Sequence, residues 1–555
     1  MPSRMLKKSA SFVLASLGGS MYREEYVSSP RSLRPRWPAF LNILRTFLIR
    51  PVTSAALWFR GVRRVFQQPP RAAALLLSLV ITACALGPNY SPPSVTTMEG
   101  FRMMEAGSAG PSIANLPWWE LLRDEELQKL IRISLEENKD LKRAVAMVEE
   151  FESRLFISRM DFAPKVDAIV NSPSFGRNSP FQFPGFPNPF NYYVQGNLSW
   201  ELDIWGRIRR SNEAARGDLL SKDENQRAVV LELVSSVAQA YFELLQFDMQ
   251  LDIARRTLRS WEESVRIAQA RLRQGVIAKL DADQFEAERA NAAARAAEFE
   301  RQMVQKENQL SVLLGRNPGQ ITRGRSLTEQ VIPPAVPPGL PSELLQRRPD
   351  VLLAEQELAA STARIGMAKA DRFPKLSLTG LIGVAHPQLS KLFTDASDFG
   401  VAGPSLAGPL LNAQILGFQQ DAVEAQARQA VARYEQSILV AFKEVEDSLV
   451  AVRTAREQRE AQAQQVEALR SALRLANLRY KGGLANYLDV LIAQRNLFEA
   501  ELALTGTHRL HLVSVVQLYK ALGGGWSPEE HPPRRADSTT PDPVTARREP
   551  AASGM

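Results

Sequence analysis

Apolar residues recur at three- or four-residue spacing from Trp118 through Leu127, Leu130, Ile131, Leu135, Leu141, Val145 and Val148, which predicts a helix ending near Phe162. At Asp161-Phe-Ala-Pro164 the period changes to two. Val166, Ala168 and Val170 then alternate with Lys165, Asp167 and Ile169, the pattern of a β-strand. A loop dense in Phe, Pro, Asn and Gly fills residues 172–191, and a second alternating run from Tyr192 closes a predicted β-hairpin over about 165–204. The helical period resumes after Trp205-Gly206-Arg207 and, Gly217 apart, meets neither glycine nor proline until Gly275. Another helix follows from Asp281 to Leu314-Gly315, so the segment at about 275–281 reads as the turn of a helical hairpin.

The same order of patterns then starts again. Arg271-x-x-x-Gly275-x-x-x-x-Leu280-Asp281 recurs as Arg479-x-x-x-Gly483-x-x-x-x-Leu488-Asp489 at a shift of 208, and Gln309-Leu310-x-x-x-Leu314-Gly315 recurs as Gln517-Leu518-x-x-x-Leu522-Gly523. Asp161-x-x-Pro164-Lys165 recurs as Asp371-x-x-Pro374-Lys375 at a shift of 210. Residues 118–316 and 342–526 are therefore two copies of one unit, helix, β-hairpin and helical hairpin, joined by a proline-rich linker at 317–341. In the second copy the strands fall at about 375–407 and the helical turn at about 482–489. The fold class is mainly α with a β portion.

Helix lengths constrain the arrangement. Each outbound helix has roughly 70 residues, on the order of 100 Å, and each return helix only about 35, or ~52 Å. The helix over 342–371 is expected to complete the first return end to end with the helix from Asp281. The N-terminal and C-terminal helices are expected to pair with the second outbound helix.

The chain carries a net charge of +8, but residues 1–83 hold thirteen Lys/Arg against two Asp/Glu, leaving −3 for the remainder. That basic excess precedes the apolar run Ala72–Ile81 and then Ile81-Thr82-Ala83-Cys84, where Cys84 is the single cysteine. A charged n-region, a short h-region and small residues before a cut mark 1–83 as a basic extension ending in a signal peptide, too short in its apolar part to span a membrane. The excess charge thus gives no argument for a nucleic-acid partner. The Ile-Thr-Ala-Cys ending resembles a bacterial lipobox, which implies lipid on Cys84; the alternative is a buried structural cysteine. The length upstream of the signal has two readings, a start near Val62 or Val65 or a genuine extension whose Phe40–Phe59 stretch lies on a membrane. Residues 84–117, rich in Pro, Gly and Ser, read as a tether, and 527–555 as a disordered tail.

Four strands in two separated hairpins are too few to close a barrel, and in a bilayer their open edges cannot be hydrated. Closure by other copies is the consequence, three chains giving twelve strands. Together, Gly87-Pro-Asn-Tyr90, Trp118-Trp119, Glu201-Leu-Asp-Ile-Trp-Gly-Arg207, Leu340-Pro-Ser-Glu-Leu-Leu-Gln-Arg-Arg-Pro-Asp350, the paired glycine turns and Leu522-Gly-Gly-Gly-Trp526 resemble the TolC-like outer-membrane factors. The resemblance is to the NodT-type lipoproteins of resistance-nodulation-division pumps. It implies a homotrimer with a twelve-stranded β-barrel in the outer membrane, continued by a long periplasmic α-helical barrel, an exit duct for small molecules.

Further implied partners are outer-membrane lipid, a periplasmic membrane-fusion adaptor and an inner-membrane resistance-nodulation-division transporter. Gly275, Val276, Gly483 and Leu484 match the turns where the adaptor docks. Asp281 and Asp489 match acidic positions at the periplasmic aperture, and Arg271, Arg479 and Tyr480 would tie neighbouring hairpins together. Ile492 replaces a further acid found in some members. Both aspartates have an alternative role as N-caps of the helices that follow.

Asp203 and Arg207 read as a strand-to-helix junction, since no nucleophile or metal-ligand cluster accompanies them. No cofactor or metal is expected: of His386, His508, His511 and His531 only His508 and His511 share helical spacing. The competing reading is a lipid-anchored coiled-coil adaptor or secretion scaffold, which predicts continuous heptads without a membrane β portion.

Overall fold

The structure is a computed structural model that describes residues 85–95, 98, 100–102, 113–171, 192–331, 341–394, 397–409, 411, 413–484 and 486–524. Cys84, the basic extension, the 172–191 loop, part of the proline linker and the polar tail lie outside the described residues. In chain order the helices and strands are α1 (Trp118–Leu121), α2 (Glu125–Glu137), α3 (Lys139–Met160), β1 (Lys165–Asn171), β2 (Tyr192–Leu202), α4 (Arg207–Arg273) and α5 (Lys279–Leu313). The second repeat follows with α6 (Pro341–Arg347), α7 (Pro349–Ala370), β3 (Lys375–His386), β4 (Asp398–Ala407), α8 (Ala413–Lys481) and α9 (Tyr487–Ala521).

The helix expected over 118–162 is broken twice, by capping side chains that periodicity does not register. Asp124 caps α2 by accepting from the backbone of Glu126 and Leu127, and Asn138 caps α3 by accepting from Leu141. The helix expected over 342–371 is broken at Arg348 because Pro349 has no N–H to continue it.

The two hairpins are one antiparallel sheet in the order β1-β2-β3-β4, not separate hairpins. Pairing of Tyr192 with His386 through Leu202 with Leu376 joins them. The register places Val166, Leu198, Gly380 and Ala402 in one row, and Leu202, Leu376 and Leu406 in another, all on the same face. The opposite face is mixed: Lys165, Ser199 and Thr379, then Asp167 and Asn197 with Leu381 and Val401, then Ile169 and Gln195 with Phe399, and at the helical end Glu201, Ser377 and Ser405. A continuous apolar face backed by one that carries most of the sheet's charged and hydroxyl side chains fits a barrel wall between lipid and water.

Below the sheet, α4 lies against α2, α3, α5, α7 and α9, and α8 against α7 and α9. The apolar middle of α4 is long enough to cross a membrane, yet Val234, Val237, Ala238, Tyr241, Leu244 and Leu245 are buried in the helical core. The expected helix pairing is overturned. The return helix α5 meets α3, not the 349–370 helix: the Asn138 amide donates to the Leu313 carbonyl at 2.9 Å. The C-terminal helix α9 meets α7 in the same way, with Arg348 Nη1 donating to the Ala521 carbonyl at 2.9 Å. The N-terminal helices lie on α4, and α7 lies on both α4 and α8. At each join a helix C-terminus faces the N-terminus of the next, so the end carbonyls find donors and the helix dipoles align.

A belt of linker surrounds the first join. Buried Asp124 accepts from Tyr241 Oη (3.2 Å), the Arg325 backbone (3.1 Å) and Gln330 Nε2 (2.7 Å). Ile321 and Leu327 are buried there, and Arg323 bridges Asp248 at 2.9 Å to Glu307.

Candidate periplasmic aperture

At the end of the helices away from the sheet, α4 and α8 stop by the same device. Gly275 follows α4 with φ +72°, its N–H bonded to the Leu272 carbonyl and that of Val276 to Arg271. Gly483 follows α8 with φ +69°, its N–H bonded to Tyr480 and that of Leu484 to Arg479. This is the Schellman cap, and a positive φ favours glycine because L side chains clash there. A side chain at either glycine would meet open space, so the requirement is conformational, not one of room. The residues after the turns are presented outward: Val276 is 64% exposed, Leu280 67% and Leu484 75%.

Neither aspartate is the N-cap of its helix. Ala278 and Asn486 hold that position, and Asp281 and Asp489 lie three residues further, in the first turn. The Asp281 carboxylate reaches back to accept from the Ala278 N–H at 3.3 Å. Acids in a first turn complement the helix dipole. Asp489 is exposed.

Arg271 and Tyr480, 209 positions apart, are brought together: the guanidinium donates to the phenol oxygen and sits 5.2 Å from the ring centre. Arg479 is exposed and contributes its carbonyl to the cap. Three aromatic residues that the repeat did not single out complete the contact. Tyr487 stacks on Phe285 at 4.0 Å and meets Tyr480 edge-on at 5.0 Å, and Phe285 meets the buried Trp261 edge-on. Burial pushes the Tyr487 hydroxyl up to about 12. Ser260 and Gln494 add a 3.0 Å hydrogen bond between the hairpins. The signal for these residues was faint: the shift of 208 carries Phe285 to Ala493 and Trp261 to Leu469, so the repeat does not duplicate these two rings.

At the opposite end, Asp203 and Arg207 are not partners. Asp203 accepts from the backbone N–H groups of Ile208 and Arg209, starting α4, while Arg207 forms a two-pronged pair with Glu201 at 2.8 and 2.7 Å. Trp205 stacks on Phe373 at 4.8 Å. Ala85 lies against this junction, 2.7 Å from where a Gly206 Cβ would be, and Leu86 donates to the Trp205 carbonyl. Buried Arg210 then holds the next residues through the Leu86 and Gly87 carbonyls and Asn89 Oδ1.

Two long helical hairpins with capped tips, head-to-tail half-helices and an amphipathic four-stranded sheet make up a membrane wall continued by helices. Residues 130–316 and 340–524 match the family described as Outer membrane efflux protein, once for each repeat. The probable efflux pump outer membrane protein TtgC of Pseudomonas putida is 35% identical over 463 residues, covering 81% of this chain and 96% of that one. The cation efflux system protein CusC of Escherichia coli is 33% identical over 466 residues, covering 82% and 99%. The open-state MtrE outer membrane channel of Neisseria gonorrhoeae superposes with TM-score 0.71 at 31% identity, covering 80% of this chain and 98% of that one. The chain belongs to the outer membrane efflux protein family and is the outer-membrane channel component of an efflux system.

Proposed function

We propose that three copies of this chain close into one passive duct, a twelve-stranded barrel above a twelve-helix tunnel. The carrying observation is the sheet: β1 and β4 are open edges that run in opposite directions, so β4 of one copy can pair antiparallel with β1 of the next in a ring that closes head to tail. Each chain supplies four helices at every level, α3, α4, α7 and α8 above the joins and α4, α5, α8 and α9 below. Exposed Phe156, Ile157 and Met160 on α3, below one edge, face a need matched by exposed Ile415 and Phe418 on α8, below the other. The scaffold reading loses its support, because four paired strands interrupt the helices.

In this assembly the Gly275-Val276 and Gly483-Leu484 turns are the docking points of a periplasmic adaptor, supported by their outward apolar side chains. Arg271 with Tyr480 and Tyr487 holds the hairpins of one chain together, and Asp281 and Asp489 form an acidic ring at the mouth. An inner-membrane resistance-nodulation-division transporter feeds the duct and sets its substrates; relatives bear names for toluene, antibiotic and cation efflux. Lipid on Cys84 anchors the N-terminus, supported by Ala85 lying at the sheet-to-helix junction beside Trp205. The duct carries out no catalysis and needs no cofactor.

Outer-membrane fractions run on SDS gels without heating should give a trimer band that collapses to monomer on boiling. Phe418→Glu should give monomer at both temperatures. A wild-type chain that is monomeric after mild extraction overturns the trimer.

A further inference from the structure

Each repeat enters its β-hairpin through the same turn, Asp161-x-x-Pro164-Lys165 and Asp371-x-x-Pro374-Lys375, and an ion pair closes each one. Lys165 Nζ lies 2.8 Å from Asp161 Oδ1, and Lys375 Nζ 3.2 Å from Asp371 Oδ1. The register puts both lysines on the face that carries the sheet's charges, at its helical end, which in a closed barrel is the lumen side of the neck. Glu201 lies between them on the same face. It is the diagonal neighbour of Lys165 across β1 and β2 and of Lys375 across β2 and β3, a backbone separation of about 7–8 Å in each case. The shift of 208 carries Glu201 to Pro409 and Arg207 to Ile415, so the Glu201–Arg207 pair stands once per chain, between the two lysine turns.

Arg207 joins the three groups. Its pKa is raised, by the Glu201 hydrogen bonds above all and then, against the effect of burial, by the charges of Glu201, Asp371 and Asp161. Both turn carboxylates are therefore within electrostatic reach of one guanidinium. Of the neighbouring charges, Asp203 is paired with Arg209, and Arg372 donates to Gln420. Asp167, two residues up β1 on the lumen face, is exposed. Lys165, Lys375 and Arg207 set against Asp161, Asp167, Glu201 and Asp371 leave one net negative charge per copy. Across the seam, the lumen face of the next copy's β4 offers Phe399, Val401, Gly403, Ser405 and Ala407, none of them charged.

We propose that Lys165 and Lys375 determine the ion preference of the barrel neck: by holding Asp161 and Asp371 they keep these carboxylates from acting as a second cation filter, at the opposite end of the helices from the mouth. The inference rests on the trimeric duct. Fixed charge on a pore wall draws in counter-ions and repels co-ions. Glutamine at both lysines leaves three net negative charges per copy, and asparagine at both aspartates leaves one net positive charge. The two changes break the same two ion pairs, yet they push selectivity in opposite directions. Lysines that only clamp their turns give one and the same response to both.

Reversal potentials of the purified full-length trimer in planar bilayers test this, under a salt gradient near 0.03 M, where screening reaches across roughly 10–30 Å. Lys165→Gln with Lys375→Gln should raise the cation-over-anion permeability ratio about threefold, and Asp161→Asn with Asp371→Asn should lower it by about as much. Lys165→Arg with Lys375→Arg should keep the wild-type ratio. The proposal is overturned if the glutamine and asparagine pairs leave the ratio unchanged or shift it the same way; the lysines are then turn clamps alone. A wild-type chain that gives no heat-sensitive trimer band fails earlier, at the duct itself. Should a double variant not assemble, Lys165→Gln and Asp161→Asn as single changes make the same comparison.

Discussion

Glycine at a helix end has two different causes in this protein, and a single substitution separates them. Gly275 and Gly315 share a φ near +70°, yet a side chain on Gly275 would meet open space while one on Gly315 would overlap the Glu137 carbonyl. Gly275→Ala should therefore cost only the left-handed strain, about 1–2 kcal/mol. Gly315→Ala should cost distinctly more and force α5 away from the α2–α3 break. Thermal unfolding in detergent should rank the two in that order. His511 supplies a pH signature: its imidazole, held at about 4 against an ordinary 6.5, stays neutral in the fold and charges more easily in the unfolded chain. Stability from this group is complete above pH 6.5 and is lost as the pH falls toward 4. His511→Gln should flatten that part of the melting-temperature profile. The glycines and aspartates were readable because they repeat at fixed spacing. The stack of Tyr487 on Phe285 and the contacts of Asp124 with the linker were not, because those partners lie far off in sequence.

Among the helices, the joins carry the lesson. Two half-length helices had to complete each return by length alone, but length does not say which two. The answer lies in single hydrogen bonds, Asn138 to Leu313 and Arg348 to Ala521, made between positions 175 and 173 apart. Asn138→Ala removes one such bond and an N-cap, about 1 kcal/mol. Arg348→Ala should destabilise more, since buried Arg348 also pairs with Asp350 and Glu444. Both carboxylates are partly exposed and water can take over their charge, which limits the loss to about 1–3 kcal/mol. Chemical denaturation of the two variants under one condition checks the ranking.

For the molecule as a whole, function depends on symmetry that one chain does not contain. A single Asp281 or Asp489 is a carboxylate in a helix first turn; in the proposed trimer six of them around a threefold axis would focus a negative potential on the mouth. Replacing both with Ala should lower cation selectivity in planar-bilayer recordings. Unchanged selectivity would leave the carboxylates only their helix-starting role. The same symmetry accounts for the open edges of β1 and β4, which look like a defect until a second copy is supplied.

By itself the sequence determined the strands, the long helices, their duplication and the residues at each turn, because periodicity, proline and positive-φ glycine act over a few neighbouring residues. Tertiary structure decided what those elements do to one another: that two hairpins are one sheet, that α5 continues into α3 and α9 into α7, and that Arg271 meets Tyr480 across an aromatic lock. Such choices depend on contacts between residues hundreds of positions apart, where a hydrogen bond or a stacked ring selects among arrangements that hydrophobic pattern alone leaves equal.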